Sequence, residues 1–408
     1  MVDSEQIKPP RSSARQLFGP VGDLLGSAAF ETLAVHAGQH PDSATGAVVP
    51  PIYAVSTYAQ DSVANPRAGY VYSRQGNPTR TALENCLASL EGGLMGLAFA
   101  SGMAAEDAVF RTICRPGDHV IIPDDVYGGT FRLLDKVLTR WGISYTPVPI
   151  WDTGAVAASV TGATRLIWCE TPTNPLLGVA DIRALANIAH DSECLLVVDN
   201  TFASPYLQQP IKFGADVVVH STTKYLGGHS DTVGGALVAK DEELGQSIKF
   251  HQNSMGAIPS PFDAWLTLRG IKTLAVRMER QCATAATITT FLQNHPLVSR
   301  VYYPGLLTHQ GHETARRQMR SFGGIVSFAV HGGESVAIRV CNAARLFTLA
   351  ESLGAVESLI SHPLRMTHAS TADSVVAPPA DLIRISVGLE SPDDLIADLS
   401  RALQGTTP

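Results

Sequence analysis

The chain reads as an α/β protein: a mostly parallel sheet wrapped by helices, followed by a smaller α+β unit. Three observations predict this. From about residue 78, short apolar runs alternate with longer stretches of helical periodicity, and polar clusters follow directly on several of those runs. Beyond about residue 263 the alternation gives way to a proline-free stretch and then to mixed strands and helices.

Taken in order, strands are predicted over Leu94–Ala100, His119–Pro123, Leu166–Glu170, Leu195–Asp199, Val217–His220 and Ala236–Ala239. Each is a short run rich in β-branched or small apolar residues, as a strand buried on both faces requires. Helices are predicted between them over 78–91, 102–114, 127–140 and 181–190, with start signals at Asn77-Pro78, Ser101-Gly102 and Asp181. Residues 263–293 contain no proline and place Leu268, Ile271, Leu274, Met278, Cys282 and Leu292 near one helical face, which predicts a single long connecting helix. Strands at Ile325–Val330 and Leu382–Val387, with helices around 335–349 and 392–404, complete the smaller unit. The resulting division is a tail and arm at 1–75, an α/β domain at 76–262 and an α+β domain at 263–408.

Composition narrows the function. Thirty Lys plus Arg against 37 Asp plus Glu give a net charge of -7 with no basic block, so nucleic acid is not an expected partner. Hydrophobic residues at 45% and charged residues at 16% exclude an intrinsically disordered chain. No apolar run reaches the roughly 18 residues of a membrane span. The six cysteines are scattered, without metal-binding spacing, so they are expected to be small buried hydrophobes and no metal is expected. The start of the chain lacks the pattern of a secretory signal, and a cytoplasmic setting is expected. Residues 1 to about 28 read as a polar tail.

Four places carry candidate chemistry. In Asp216 to Gly235 a strand emerges into Ser221, Thr223 and Lys224, followed by the pairs Gly227-Gly228 and Gly234-Gly235. Hydroxyls and glycines at a strand end let the backbone approach a phosphate, and a partly desolvated amine there can act as a nucleophile. A surface lysine in a glycine-rich loop is the plain alternative. Twenty-five residues earlier, the strand ending at Asp199 delivers a carboxylate to the same sheet edge, suited to keeping a ring nitrogen protonated or simply to capping a turn. Ser101-Gly102-Met103 turns a strand into a helix, leaving free N–H groups for an anion. Tyr127, in Asp124-Asp125-Val126-Tyr127-Gly128-Gly129, could stack on a flat cofactor or cover the turn.

At these four places the sequence resembles the trans-sulfuration, or Cys/Met-metabolism, family of pyridoxal-phosphate enzymes. The likeness continues through Tyr70 to Arg80, Glu170-Thr171-Pro172-Thr173-Asn174-Pro175, Ala350-Glu351-Ser352-Leu353-Gly354 and Arg384 to Glu390, covering about residues 30–405. It implies fold type I, with a seven-stranded large domain and pyridoxal 5'-phosphate as cofactor. By resemblance Lys224 would bind the cofactor covalently and shuttle protons, with Asp199 against the ring nitrogen. The Gly102 and Met103 backbone, Ser221 and Thr223 would hold the phosphate, together with Tyr72 and Arg74 from a neighbouring subunit of a homotetramer built of active dimers. Tyr127 would stack on the ring and assist proton transfer, and Asn174 would meet the 3-oxygen. Arg384 and Ser352 would take the substrate's α-carboxylate.

The implied activity is γ-elimination on a sulfur amino acid, foremost L-cystathionine to cysteine, 2-oxobutyrate and ammonia. The alternatives are γ-replacement on an O-acylhomoserine with cysteine, and γ-elimination of methionine. Gly129, where methionine-cleaving members carry cysteine, favours cystathionine as substrate, and Glu351 and Arg132 match residues used around its distal part. Val71 stands where such members commonly have an acid. Three other readings compete. Ser221-Thr222-Thr223-Lys224 fits the SxxK motif of serine acyl-enzymes, but their SDN and KTG strings are absent. His309 and His312 lack the second histidine of HExxH, with Arg316 in its place. A catalytically silent descendant is disfavoured by the presence of Lys224 with its partners.

Overall fold

The computed structural model describes residues 28–368 and 376–405; most of the expected tail, residues 1–27, lies outside them. Seven strands form the central sheet: β3 (Met95–Phe99), β4 (His119–Pro123), β5 (Ser144–Val148), β6 (Thr164–Glu170), β7 (Leu195–Asp199), β8 (Val217–Ser221) and β9 (Gly235–Ala239). They follow a two-stranded hairpin, β1 (Gln60–Ser62) and β2 (Asn65–Pro66), in the arm. The order across the central sheet is β3-β9-β8-β7-β6-β4-β5, with only β9 antiparallel to its neighbours.

Both faces of the sheet are covered. Along β8, Val217 and Val219 pack with Phe110 and Trp168 on one face, while Val218 packs with Ile121 and Leu196 on the other. This explains why the strands read as continuous apolar runs rather than alternating ones. The carboxyl ends of β3, β4, β6, β7 and β8 all emerge on one edge, the place where open α/β sheets hold ligands.

A five-stranded sheet follows, ordered β10-β11-β14-β13-β12. Its strands are β10 (Val298–Tyr302), β11 (Ile325–Val330), β12 (Thr348–Leu349), β13 (Leu359–Ser361) and β14 (Leu382–Ser386). The central strands Ile325–Val330 and Leu382–Ser386 are buried throughout and pack on the helices Gly333–Ala343 and Pro392–Gln404. All six cysteines are buried and unpaired, as expected. Among the described residues no helix is long and apolar enough to cross a membrane.

Four elements depart from expectation. Strand β5 was not foreseen; it pairs only with β4, and Pro147, a residue confined to such edges, interrupts its pattern. The segment expected as one helix over 127–140 runs Gly128–Arg132, then as a π turn at Leu133–Val137 and a 3-10 turn at Leu138–Trp141, keeping Phe131, Leu134 and Leu138 buried. The long helix is two, Pro261–Ile271 and Leu274–Gln293. The break lies where Gly270 packs directly on the backbone of Gly227, and the buried Arg277 takes up the freed Gly270 carbonyl through Nη2 at 2.8 Å. The helix expected to reach 349 stops at Ala343, because Asp398 accepts the backbone N–H groups of Arg345, Leu346 and Phe347 at 2.8–3.2 Å and turns the chain.

Candidate active site

The strand ends open into a cavity of about 760 Å³ whose wall also includes Glu351, Ser352 and Arg384 from the C-terminal part of the chain. Ser101, Gly102, Met103, Tyr127, Asn174 and Asp199 line it from one side. Ser221, Thr223 and Lys224 line it from the strand beside Asp199. Eleven of the predicted site positions therefore meet; Tyr72, Arg74 and Arg132 do not line the cavity.

An anion cradle lies at the end of β3. Ser101 caps the helix Gly102–Ile113 by accepting from Ala104 N at 3.1 Å, leaving the first-turn N–H groups directed outward. A Cβ on Gly102 would lie 3.1 Å from Ser221 Cβ, so glycine permits the close approach of the two walls. Thr223 Oγ1 spans this rim, donating to Gly234 O and accepting from Gly234 N at 3.2 and 3.0 Å. Free helix-start amides, the Ser221 hydroxyl and the Thr223 hydroxyl together suit a phosphate.

Lys224 is the amine expected from the sequence. Its Nζ donates to Ser352 Oγ at 2.8 Å. Burial, with the Arg384 charge nearby, brings its pKa down to about 8, so a substantial neutral fraction exists near neutral pH. Ser352 adopts φ 97°, a region that non-glycine residues rarely occupy, and Arg384 Nη2 holds its carbonyl at 3.0 Å. Arg384 is itself buried and donates through Nη1 to Asn174 Oδ1 at 2.8 Å. Burial lowers its pKa to about 10, and its buried Nε has no partner among the described residues. A guanidinium held this way has a donor to spare for a carboxylate.

Asp199 is buried at the end of β7. Its Oδ1 accepts from Thr201 N at 2.9 Å, and Thr201 Oγ1 in turn accepts from Ser221 N at 2.9 Å, tying the carboxylate to the anion cradle. Burial raises its pKa, opposed by Thr201 and by His220. An ionised Asp199 therefore gains from meeting a protonated ring nitrogen.

Sequence reasoning missed three residues of this site: Glu106, Glu170 and Thr201, all in the cavity wall. Glu170 is the bracket of the site, since its two oxygens accept from Tyr127 N at 2.8 Å and Asn174 N at 2.7 Å. Burial and then Asp199 push its pKa well above the usual carboxylate range, against the pull of those two N–H groups. Its position opening the polar cluster after a strand was the available signal. Glu106 faces Asp199 from the helix Gly102–Ile113; burial and Asp199 raise its pKa strongly, and Oε2 has no partner among the described residues. A helical Glu amid small residues carries no local mark.

Tyr127 sits at the start of Gly128–Arg132, edge-on to His368 at 6.5 Å between ring centroids. Any side chain at Gly129 would collide with the Tyr127 ring. Arg132 is exposed at the end of that helix. Tyr72 and Arg74 are also exposed, with the Arg74 guanidinium 5.5 Å from the Tyr72 ring centre. His309 and His312 serve the turn after β10, where His309 Nδ1 accepts from Gly311 N and the ring of His312 stacks on Phe322.

The family model described as Cys/Met metabolism PLP-dependent enzyme matches residues 31–404. A cystathionine gamma-synthase of Mycobacterium tuberculosis is 60% identical over 372 residues, covering 91% of this chain and 96% of that protein. A cystathionine gamma-lyase of Bacillus subtilis is 51% identical over 377 residues, covering 92% and 99%. The crystal structure of metB from Corynebacterium glutamicum superposes with a TM-score of 0.93 at 52% identity, covering 94% of this chain and 100% of that one.

Proposed function

Because the chain belongs to the Cys/Met-metabolism family of pyridoxal-phosphate-dependent enzymes, we propose that it catalyses γ-replacement: cysteine and an O-acyl-L-homoserine give L-cystathionine and the free carboxylic acid. The thiol sulfur forms the new bond to Cγ as the ester oxygen leaves with its acyl group. The observation that carries this reading is the 60% identity to a gamma-synthase across nearly both chains, against 51% to a gamma-lyase. The sequence put elimination first, and every site residue named serves either reaction; the relatives shift the weight to replacement.

Pyridoxal phosphate is the cofactor, and when bound it supplies an electron sink for the electron pair left on the substrate when a proton is lost. The residues fit the group: the cradle of Gly102, Met103, Ser221 and Thr223 would hold the phosphate, Asp199 would meet the ring nitrogen, Tyr127 would offer a ring to stack on and Asn174 a polar contact for the ring's oxygen. Lys224 would attach the cofactor and then, near its pKa of about 8, accept the α-proton and return protons along the substrate. Its hydrogen bond to Ser352 aims Nζ at the place where Arg384 would fix the α-carboxylate. Glu351 and Arg132 would face the distal end of the substrate, and the bare Gly129 leaves the Tyr127 ring free to lie against the cofactor.

Tyr72 and Arg74 would complete the phosphate site of a neighbouring subunit, in a homotetramer of active dimers. Both are exposed on an arm whose Val48, Val49 and Val63 are also exposed, as are Phe250 and Phe262 on either side of Asn253, which accepts from Arg74 Nε at 3.4 Å. Uncovered apolar surface of this kind is what an association interface buries.

The test is a product assay on the holoenzyme. An O-acylhomoserine with cysteine should give cystathionine faster than cystathionine alone gives cysteine and 2-oxobutyrate. The reverse order would assign the chain to elimination, and methanethiol from methionine would show that Val71 outweighs Gly129 in selecting substrate.

A further inference from the structure

Replacement on an O-acylhomoserine can use esters of different acids, and the charges of the cavity wall distinguish them. Among the described residues, two cationic side chains line the cavity, Lys224 and Arg384. Both are engaged. Lys224 Nζ donates to Ser352 Oγ at 2.8 Å and would carry the cofactor. Arg384 gives Nη1 to Asn174 Oδ1 at 2.8 Å and Nη2 to the Ser352 carbonyl at 3.0 Å, which leaves Nε for the α-carboxylate of the substrate.

On either side of Ser352 the wall is acidic. Glu351 and Glu357 both line the cavity from the segment between β12 and β13, and both are exposed. Glu357 Oε2 accepts from Ser230 Oγ at 3.4 Å, which brings it to the loop that follows Lys224. The neighbouring wall is small or apolar. Thr348 and Leu359 are register partners across β12 and β13, Ala350 N donates to Ile360 O at 3.1 Å, and Val233 comes from the same loop as Ser230. Arg132, the other arginine that the family resemblance connects with the distal part of the substrate, is exposed at the end of its helix and is not part of this wall.

An acyl chain that ends in a second carboxylate would bring that charge towards two acidic side chains, with no lining cation left to pair with it. An acetyl group brings a methyl instead, which small and apolar side chains accommodate. The other substrate, cysteine, carries an ammonium group that gains from the same two glutamates.

We propose that the site takes an O-acylhomoserine whose acyl group is uncharged, acetyl rather than succinyl, and that Glu351 and Glu357 select it by repelling a terminal carboxylate while attracting the ammonium of cysteine. This rests on the replacement reading. The cysteine sulfur bonds to Cγ as the Cγ–O bond breaks, and acetic acid is released with the proton of the thiol. Discrimination of this kind comes from the group that disfavours the wrong substrate as much as from contacts to the right one.

The experiment measures kcat/KM of the holoenzyme for O-acetyl- and O-succinyl-L-homoserine with cysteine, in the wild type, Glu351→Gln, Glu357→Gln and Arg132→Gln. The wild type should prefer the acetyl ester by about tenfold or more, the scale that like charges close together at a protein surface supply. Glu351→Gln and Glu357→Gln should each narrow that ratio by raising use of the succinyl ester, and should raise KM for cysteine. A wild type that uses the succinyl ester equally well, or a ratio unmoved in both glutamine variants, would overturn the proposal. Succinyl turnover that is lost in Arg132→Gln would overturn it too, by showing that Arg132 supplies the cation. The same two esters without cysteine, followed by release of 2-oxobutyrate, read acyl selection apart from replacement. If cystathionine forms from neither ester while the acetyl ester still yields 2-oxobutyrate faster, the replacement reading fails and the acyl selection stands.

Discussion

Replacing Lys224 by methionine should stabilise the cofactor-free protein at neutral pH while abolishing its activity. Lys224 falls from 10.5 in an unfolded chain to about 8 in the fold because burial penalises its charge. That drop of 2.5 units, at about 1.4 kcal/mol each, means that holding the ammonium form costs about 3 kcal/mol at pH 7. Methionine matches the length and removes the charge, but loses the hydrogen bond from Nζ to Ser352 Oγ, worth about 1 kcal/mol. The net gain at pH 7 is about 2 kcal/mol. The pH dependence is more diagnostic. Between pH 8 and 10.5 the unfolded chain holds one more proton than the folded one, so wild-type stability climbs with pH across that window. The variant lacks this climb, and its advantage should shrink to nothing and reverse by about 1 kcal/mol above pH 10.5. Urea denaturation of both proteins, stripped of cofactor, at half-unit steps from pH 7 to 10.5 measures the difference. A variant less stable than the wild type at pH 7, or a difference that does not change with pH, would refute the desolvated lysine on which the proposed proton transfers depend.

Glu170→Ala strands the buried N–H of Asn174 and the partly buried N–H of Tyr127, and should cost about 2–4 kcal/mol by denaturation, with Glu170→Gln losing about half as much. Equal losses for the two variants would show that Glu170 does not bracket both segments. Arg384→Ala should raise KM by 10-fold or more, about 1.5 kcal/mol of charged hydrogen bonding, while the cofactor's Kd changes much less. Unchanged KM would place the carboxylate site elsewhere. Gly235→Ala drives a methyl into the carbonyl of Ser101 and should either prevent folding or lower the Tm by more than 5 °C, as a scanning calorimeter would show; a variant as stable as the wild type would mean that β3 and β9 lie further apart than described.

How much of this was legible in the sequence depends on how far apart the causes lie. Strands β4 and β7 were bounded correctly because a buried parallel strand writes itself as an apolar run, with His119, Pro123 and Asp199 marking its ends. Strand β5 was invisible because its pattern is that of an edge, half exposed and broken by Pro147. The break between Ile271 and Leu274 was unreadable for a different reason. Nothing local ends the first helix there; what shapes it is the approach of Gly270 to Gly227, more than 40 residues away in sequence. The site divides in the same way. Lys224 and Asp199 stand at strand ends with hydroxyls and glycines beside them, so their chemistry shows locally. Arg384 and Ser352 were reached only through resemblance, and Glu106, an acid on a helix of small residues, gains meaning only when the sheet brings Asp199 against it.

The charges of the cavity, taken together, say why the cofactor should organise this protein as well as serve it. Without it, burial pushes Asp199, Glu106 and Glu170 up while it pushes Lys224 and Arg384 down, so the charged form of every group is penalised. A ligand that presents a cationic ring nitrogen to Asp199, an anionic phosphate to helix-start amides and a covalent partner to the Lys224 amine relieves these strains at opposite ends of one cavity. The stabilisation on binding should therefore exceed what the phosphate contacts give alone. Inorganic phosphate at saturation should raise the melting temperature of the stripped protein only slightly, whereas pyridoxal phosphate should raise it severalfold more, and in Lys224→Met by an intermediate amount because the ring and phosphate contacts remain. Equal shifts from phosphate and from the whole cofactor would mean that the buried charges at Asp199 and Lys224 are balanced within the protein already.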